Sequence, residues 1–305
     1  MRIDIAAQTD VGRRKQKNED YYGVFREDTP GLELFQEGAL LCVADGLGGH
    51  VGGDIASKLS VSIMKDQLRK PPLPVSDGED RFQGGAAGVL REGFRLANES
   101  VYRTNRDLVK SRRPMGTTLL SVLVSPDEAL IANVGDSRCY HIREGEIIDR
   151  TRDHSWVDEQ VDQGLMTKAE AESDFRKNIV TRSIGTHPVV EIDGYAWAIE
   201  PGDMLLLCTD GLVNMVKDPA IKDEFAKNAS PAEIAQQLVR LANDNGGRDN
   251  ITVIVADISP SLGTVMRRRV RSFSRRRGAK LVWLLLALLY GGLCFAAGYL
   301  AAGGI

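Results

Sequence analysis

Short apolar runs of four to eight residues, most of them bounded by Gly, Asp or Pro, recur along most of the chain. Runs of this length and setting are typical of buried β-strands. The runs between 118 and 142 follow one another closely, which predicts consecutive antiparallel hairpins. The full set of predicted strands is 2–7, 21–25, 39–44, 118–124, 129–134, 137–142, 194–199, 203–208 and 251–257.

Two long helical patterns interrupt these strands, one from about Gly53 to Arg69 and one over roughly 86–109. In each, apolar residues recur along one stripe. A third helix is predicted to begin after Ser230, with Pro231 in its first turn. Residues 150–178 are polar and acidic, which predicts short helical pieces at most. Strands, then long helices, then strands again predict an α+β or layered-sandwich fold rather than a parallel α/β fold.

The charge of the chain is unevenly distributed. Eight basic residues lie between 267 and 280 and no acidic residue lies beyond 266, so residues 1–266 carry 31 basic and 42 acidic residues, a net charge of −11. An acidic body argues against a nucleic-acid partner and favours bound cations. Residues 281–300 contain no charged side chain, and about 20 apolar residues suffice to span a bilayer. The sequence therefore predicts a single-pass membrane protein whose body faces the cytoplasm, with the Arg-rich collar 267–280 bound to anionic lipid.

Acidic residues stand at the ends of several predicted strands. Asp45 and Asp210 each follow an apolar run and precede a glycine, and Asp249 directly precedes the last predicted strand of the body. A single aspartate in such a place is usually a turn residue or a cap. If strands 39–44, 203–208 and 251–257 lie side by side, the three carboxylates converge. They would then repel one another unless a divalent cation neutralised them, and oxygen ligands select magnesium or manganese over zinc.

Eight stretches resemble the metal-dependent protein phosphatases of the type 2C family, and they occur in the family's order over roughly residues 3–258. They are KQKNEDYYGVF (15–25), LLCVADGLGGHVGGDIAS (40–57), MGTTLLSVLV (115–124), ANVGDSRCYHIREGEI (132–147), RDHSWVDEQVDQGLMT (152–167), IVTRSIGT (179–186), GDMLLLCTDGL (202–212) and GGRDNITVIVADI (246–258). The resemblance implies a central antiparallel β-sandwich flanked by helices in α-β-β-α layers, with a site for two divalent cations (Mn²⁺ or Mg²⁺) at one end. We expect a catalytic domain at 1–260, a basic juxtamembrane linker at 261–280 and a C-terminal transmembrane helix at 281–301.

The resemblance also assigns roles to individual residues. Asp45 would bridge both cations, and the Gly46 carbonyl would complete one coordination shell. Asp210 and Asp249 would hold the other cation, with Asn250 orienting Asp249. The remaining expected ligands are Glu19 and Asp20, acting mostly through water, and Asp136, which would help to hold a third and weaker cation. The implied reaction is hydrolysis of phosphoserine and phosphothreonine on proteins, among them a Ser/Thr kinase or its substrates, by a hydroxide that bridges the two cations.

Two positions depart from the family's pattern. Lys15 stands where the family usually has an arginine that grips the substrate phosphate, and lysine lacks the planar fork of a guanidinium. Leu47 stands where eukaryotic members have a histidine, and His50, three residues further on, is expected to be structural. Two alternatives stay open at this point. One is a pseudophosphatase that binds phosphorylated partners without turnover, and the other is a hydrolase of small phosphoesters.

Overall fold

The structure is a computed structural model and describes residues 2–26, 38–48, 52–68, 85–108, 114–125, 127–227 and 229–259. The residues from Arg2 to Ser259 form one compact unit. The predicted linker at 261–280 and the predicted transmembrane helix at 281–301 lie outside the described residues.

The described chain contains twelve strands and seven helices. The strands are β1 (Arg2–Asp10), β2 (Tyr21–Arg26), β3 (Ala39–Ala44), β4 (Gly46–Leu47), β5 (Gly116–Thr117), β6 (Leu119–Val124), β7 (Glu128–Val134), β8 (Arg138–Arg143), β9 (Glu146–Arg150), β10 (Asp193–Ala198), β11 (Met204–Cys208) and β12 (Ile251–Ser259). The helices are α1 (Gly53–Gln67), α2 (Gly85–Leu108), α3 (Trp156–Asp162), α4 (Lys168–Ser173), α5 (Asp210–Val213), α6 (Asp218–Phe225) and α7 (Pro231–Asp244).

Two five-stranded antiparallel sheets form the centre. The first has the order β1-β12-β11-β8-β9 and the second has the order β10-β7-β6-β3-β2. All six residues of β3 and of β6 are buried, as expected for strands that are covered on both faces. This arrangement confirms the α+β prediction.

Helices cover the outer face of each sheet. α1 and α2 pack on the second sheet through a cluster that includes Met64, Phe94 and Leu119. α7 packs on the first sheet through a cluster that includes Leu238 and Val253. Each cluster uses every second residue of its strands, because successive side chains of a strand point to opposite faces. The layers are therefore helix, sheet, sheet and helix, as expected from the resemblance.

Helix α7 begins as its sequence predicts. The Ser230 hydroxyl accepts a hydrogen bond from the Glu233 N–H, and the Glu233 carboxylate accepts one from the Ser230 N–H, while Pro231 occupies the first turn. Such a capping box satisfies two main-chain donors that a helix start would otherwise leave unpaired.

Two predictions about strand neighbours were wrong. β3 does not lie beside β11 and β12, because it belongs to the second sheet whereas they belong to the first. The runs between 118 and 142 do not form consecutive hairpins either: β6 and β7 pair, but β8 pairs with β11 and β9. Gly135, with a φ of 116°, lies in the turn through which the chain crosses from one sheet to the other.

The predicted membrane location must be corrected. Among the described helices, none combines the length and the apolar character needed to cross a bilayer. The longest of them, α2, has 24 residues, but charged side chains such as Arg91, Glu92 and Arg95 interrupt it throughout. The prediction of a single-pass membrane protein with its catalytic domain in the cytoplasm therefore has no support among the described residues, and the segment 281–301 that carried it lies outside them.

Candidate metal and phosphate site

Asp45 stands where β3 ends and the short strand β4 begins. Its N–H donates a hydrogen bond to Thr118 Oγ1 at 2.8 Å. Its carbonyl accepts hydrogen bonds from Thr117 Oγ1 and from the Thr118 N–H, both at 2.8 Å. These bonds fix the main chain of Asp45, and its carboxyl faces that of Asp210.

Gly46 and Gly53 pack back to back beside Glu19. A Cβ at Gly46 would overlap the main chain of Gly53, so no larger residue fits there. A Cβ at Gly53 would lie 3.0 Å from the Gly46 carbonyl oxygen and 3.0 Å from Glu19 Oε1. Two of the predicted ligand oxygens therefore face the same point in the structure.

Asp210 is the first residue of α5 and is separated from the end of β11 by Thr209 alone. Asn214, one turn later, donates to Asp210 Oδ2 at 3.0 Å, whereas Asp210 Oδ1 is buried without a hydrogen-bond partner. A Cβ at Gly211 would overlap the carbonyl of Asn250. The glycine thus lets the start of α5 approach the segment that carries Asp249.

Asp20 lies beneath these residues and is only 6% exposed. Its Oδ2 accepts hydrogen bonds from Thr209 Oγ1 at 2.9 Å and Thr252 Oγ1 at 2.7 Å, while its Oδ1 has no partner. Burial raises the pKa of Asp20 to about 7, against the effect of the two threonine hydrogen bonds. The two threonine hydroxyls therefore orient the Asp20 carboxyl without supplying a positive charge to it.

Asn250 connects the segment 11–19 to the start of β12. Its side-chain amide donates to the carbonyls of Val11 at 3.0 Å and Lys17 at 2.9 Å, and its carbonyl accepts from the Glu19 N–H at 2.9 Å. Its own N–H donates to Asp249 Oδ1 at 2.8 Å. One side chain thus fixes the segment that carries both Lys15 and Glu19.

Lys15 reaches into the acidic site. Its Nζ lies 2.6 Å from Asp249 Oδ1, with 42% of the lysine side chain exposed. Burial alone would lower the pKa of Lys15, but the hydrogen bond and charge of Asp249 outweigh this and raise the pKa. The charges of Asp45 and Glu19 act in the same direction, so Lys15 is a cation within the predicted ligand set.

Asp136 lies on the turn between β7 and β8 and is 6% exposed. The adjacent Gly135 N–H donates to His154 Nδ1 at 3.1 Å, and the His154 N–H donates to the Gly135 carbonyl at 3.0 Å. Since Nδ1 accepts, the ring proton of neutral His154 is on Nε2, which lies 3.2 Å from Asp193 Oδ2. His154 therefore holds the turn that carries Asp136, from the start of the segment 150–178.

The carboxylates share one electrostatic environment. The pKa of Asp45 is raised well above its usual value, first by burial and then by the charges of Asp20 and Asp210. The pKa of Asp210 is raised to about 6 by burial and by Asp249, and that of Asp136 is raised by burial and by Asp210. Topology explains this proximity: β3 contributes from one sheet, β11 and β12 contribute from the other, and the acidic residues meet at one end of the sandwich.

The donor chemistry of this end fits divalent cations. Buried oxygens without a partner, on Glu19, Asp20 and Asp210, are costly unless something positive binds them. Within the described ranges no three His, Cys, Asp or Glu side chains stand in an arrangement that could hold a metal ion as it is. The fit therefore rests on the unpartnered oxygens and on the raised pKa values, and carboxylate and carbonyl oxygens suit magnesium or manganese.

The sequence predicted some residues of this end of the sandwich and missed others. His50 lies outside the described residues, so its expected structural role stays a prediction. Thr209 and Thr252 were not predicted. Thr252 lies inside the otherwise apolar start of β12, which is a signal for a buried polar contact, whereas Thr209 follows the end of β11. Lys168, Lys177 and Lys217, which line a pocket beside Asp210, left no recognisable signal because exposed lysines are common.

Comparison with known proteins gives one consistent result. Residues 13–251 match the family described as Protein phosphatase 2C. The serine/threonine phosphatase stp of Listeria welshimeri is 34% identical over 255 residues, which cover 82% of this chain and 94% of the relative. Protein phosphatase PhpP of Streptococcus pneumoniae is 33% identical over 261 residues, covering 84% of this chain and 98% of the relative.

Solved structures agree. The serine/threonine phosphatase Stp1 from Staphylococcus aureus superposes with a TM-score of 0.74 at 33% identity, covering 85% of this chain and 96% of that one. The catalytic domain of the serine/threonine protein phosphatase PstP, solved in complex with two manganese ions, superposes with a TM-score of 0.66 at 31% identity, covering 85% and 99%.

Proposed function

Since this chain is a serine/threonine phosphatase of the protein phosphatase 2C family, we propose that it removes phosphate from phosphoserine and phosphothreonine residues of proteins. Its cofactors are two divalent cations, as in the manganese-bound relative. The observation that carries the proposal is the set of buried, unpartnered carboxylate oxygens on Glu19, Asp20 and Asp210 at one end of the sandwich. We further propose that residues 1–260 are the catalytic domain.

The cations would be held by Asp45, the Gly46 carbonyl, Asp210 and Asp249, with Glu19 and Asp20 acting through water and Asp136 serving a third cation. When bound, they supply positive charge for a phosphoryl group and acidify the water that attacks phosphorus. Asp45 is suited to hold both cations because its main chain is fixed and its carboxyl lies among the other acidic groups.

Lys15 supplies the chain's own positive charge. Its ammonium group pairs with Asp249 and can turn to a phosphate oxygen of the substrate through its flexible stem. Asn250 keeps Lys15 and Glu19 in place by holding the segment between Val11 and Glu19. The substrates are phosphorylated proteins, and we include a Ser/Thr kinase or its targets among them.

Phosphate release from a phosphothreonine peptide by the full chain, with and without Mn²⁺, tests this function. We expect release that requires the metal and falls at least a hundredfold in Asp210→Asn, because a ligand carboxylate is lost. Asp223→Asn, an exposed residue of α6, is the control and should retain full activity.

The same assay tests the alternatives. Bound Mn²⁺ without any release would support a phosphoprotein-binding pseudophosphatase. Turnover of nucleotides well above that of phosphopeptides would support a hydrolase of small phosphoesters. No contact in the described structure favours either over protein dephosphorylation.

A further inference from the structure

A pocket of about 400 Å³ opens directly beside the carboxylates. Asp136 and Asp210 line one end of it. Its walls come from helices α3 and α4 on one side and from the segment that joins α5 to α6 on the other. The pocket is therefore continuous with the place where the phosphorylated residue would react.

Two acidic side chains in the pocket wall, Asp153 and Asp218, are neutralised by arginines. Asp153 accepts three hydrogen bonds from Arg138, between 2.7 and 2.9 Å. Asp218 accepts hydrogen bonds from Tyr140 Oη at 2.9 Å and from Arg150 at 3.0 Å. Both arginines in the wall are thus engaged as well, and neither is available to a ligand without loss of an ion pair.

Three lysines of the pocket are different. Lys168 begins α4, Lys177 follows that helix, and Lys217 is the N-cap residue of α6. Their ammonium groups make no ion pair or hydrogen bond with any residue that the structure describes. Apart from the metal-site carboxylates, two acidic lining residues have no cationic partner among the described residues: Glu172, and Asp158, which accepts a hydrogen bond from the neutral Ser155 hydroxyl. Three free lysines against these two carboxylates leave the outer part of the pocket with an excess of one positive charge.

A protein substrate must place the residues next to its phosphorylated side chain in neighbouring grooves. An extended chain advances about 3.3 Å per residue, so only residues close to the phosphorylated one can reach this pocket. Lysine ammonium groups bind phosphate and carboxylate as mobile point charges, without demanding one geometry.

We propose that this pocket is a substrate subsite that takes an anionic side chain, a second phosphate or a carboxylate, a few residues from the phosphoserine or phosphothreonine under attack. This inference rests on the proposed function, and it adds the substrate class: phosphoproteins with an acidic or multiply phosphorylated sequence around the target. Lys168, Lys177 and Lys217 are the residues that determine this preference.

The test uses the full chain with Mn²⁺ and a series of phosphothreonine peptides. One peptide has alanine at all flanking positions, one set carries a single glutamate at each flanking position in turn, and a parallel set carries phosphoserine instead. We expect a roughly fivefold to tenfold higher kcat/KM when the anion stands at one or two positions, since exposed ion pairs contribute up to about 1 kcal/mol each. Comparison of the two sets tells whether a carboxylate suffices or a second phosphate is needed.

The triple variant Lys168→Gln, Lys177→Gln, Lys217→Gln should lose this preference and keep its rate on the alanine peptide and on p-nitrophenyl phosphate. The matched control changes three lysines outside the pocket, Lys65, Lys222 and Lys227, to glutamine and so removes the same three positive charges as the pocket variant. Equal rates on all peptides in the unmodified chain would overturn the proposal. So would an equal loss of preference in the control variant, because the effect would then come from net charge.

Binding separates this proposal from the proposed function. In Asp210→Asn, fluorescence anisotropy should show tighter binding of the preferred anionic peptide than of the alanine peptide, and addition of the triple lysine change should remove the difference. Absence of hydrolysis of every peptide would contradict the proposed function. Absence of any affinity difference would contradict the subsite.

Discussion

Lys15 Nζ lies 2.6 Å from Asp249 Oδ1, whereas Lys17 Nζ, two residues later, lies 2.7 Å from Asp54 Oδ1. The two lysines of this segment therefore serve different carboxylates, and only Lys15 faces a predicted metal ligand. This difference provides a matched pair for testing what a cation at position 15 contributes.

Replacing Lys15 by arginine should lower the KM for a phosphothreonine peptide about fivefold and leave kcat within a factor of two. A guanidinium can bind the phosphate through two parallel N–H donors, and one additional charged hydrogen bond contributes ~1 kcal/mol or more. Steady-state kinetics with Mn²⁺ measures the effect. Lys17→Arg is the control, and an unchanged KM in Lys15→Arg would remove Lys15 from the phosphate site.

The metal-free protein should become less stable as the pH rises from 5 to 8. Unfolded aspartates ionise at about pH 4, whereas the folded protein raises the pKa of Asp210 to about 6 and that of Asp20 to about 7. The folded state thus binds more protons in this range, and each such group costs stability as it ionises. Thermal unfolding in EDTA should show the midpoint temperature falling as the pH rises. The free energy of unfolding should fall by an amount on the order of a few kcal/mol over this range.

The manganese-loaded protein should show the opposite trend over the same range. Metal ligands must be deprotonated, so acid weakens metal binding, and the stabilisation by Mn²⁺ should grow between pH 5 and 8. If the EDTA-treated protein instead gained stability on going to pH 8, the carboxylates would not carry the raised pKa values described above.

Substitution of Asn250 should loosen the segment that carries Lys15 and Glu19. Asn250→Asp keeps an acceptor for the Glu19 N–H but loses the two donors to Val11 and Lys17. We expect a loss of roughly 1–3 kcal/mol of stability and about tenfold weaker Mn²⁺ binding, because two part-buried carbonyls lose their partners.

Calorimetric titration with Mn²⁺ and thermal unfolding measure both effects of the Asn250 change. Asn245→Asp is the control, since Asn245 makes a single exposed side-chain bond to the Met215 carbonyl. Wild-type metal affinity in Asn250→Asp would show that the segment keeps its place without this side chain.

His154→Ala should destabilise the turn that carries Asp136. The Gly135 N–H would lose its acceptor in a buried position, which costs about 1–3 kcal/mol. Differential scanning calorimetry should show a melting point lower by several degrees. His187→Ala should leave the melting point unchanged, because the exposed His187 ring makes a single hydrogen bond within the described residues, to the neighbouring Thr186 hydroxyl. Equal melting points for the two variants would contradict the role given to His154.

Local pattern was sufficient for most elements. The predicted helix from Gly53 to Arg69 is α1 at Gly53–Gln67, and the capping residues Ser230 and Pro231 begin α7 as expected. The central strands β3 and β6 were found because their apolar runs are buried on both faces. β9, with the sequence EIIDR, was missed because four of its five residues are exposed or charged at the edge of its sheet.

Strand neighbours could not be predicted in the same way. An apolar run such as ALLCVA fits the centre of either sheet, and only packing between distant parts of the chain assigns it to one. Asp45, Asp210 and Asp249, which the sequence predicted to converge along one sheet, lie at one end of the sandwich and come from both sheets. The Lys15–Asp249 pair and the lysine pocket depend on such long-range placement and were not foreseen.

The pairing of β1 with β12, from Arg2 opposite Ser259 to Asp10 opposite Ile251, has a consequence for how the protein is made. β12 lies between β1 and β11, so the first sheet lacks an inner strand until residue 259 has been synthesised. Because translation proceeds from the N-terminus, a growing chain has Glu19, Asp20 and Asp45 early but gains Asp249 and Asn250 only just before β12, the last strand of the described residues. A ribosome-bound chain that stops before β12 should therefore be inert toward phosphoproteins, and activity should arise in a single late step of synthesis.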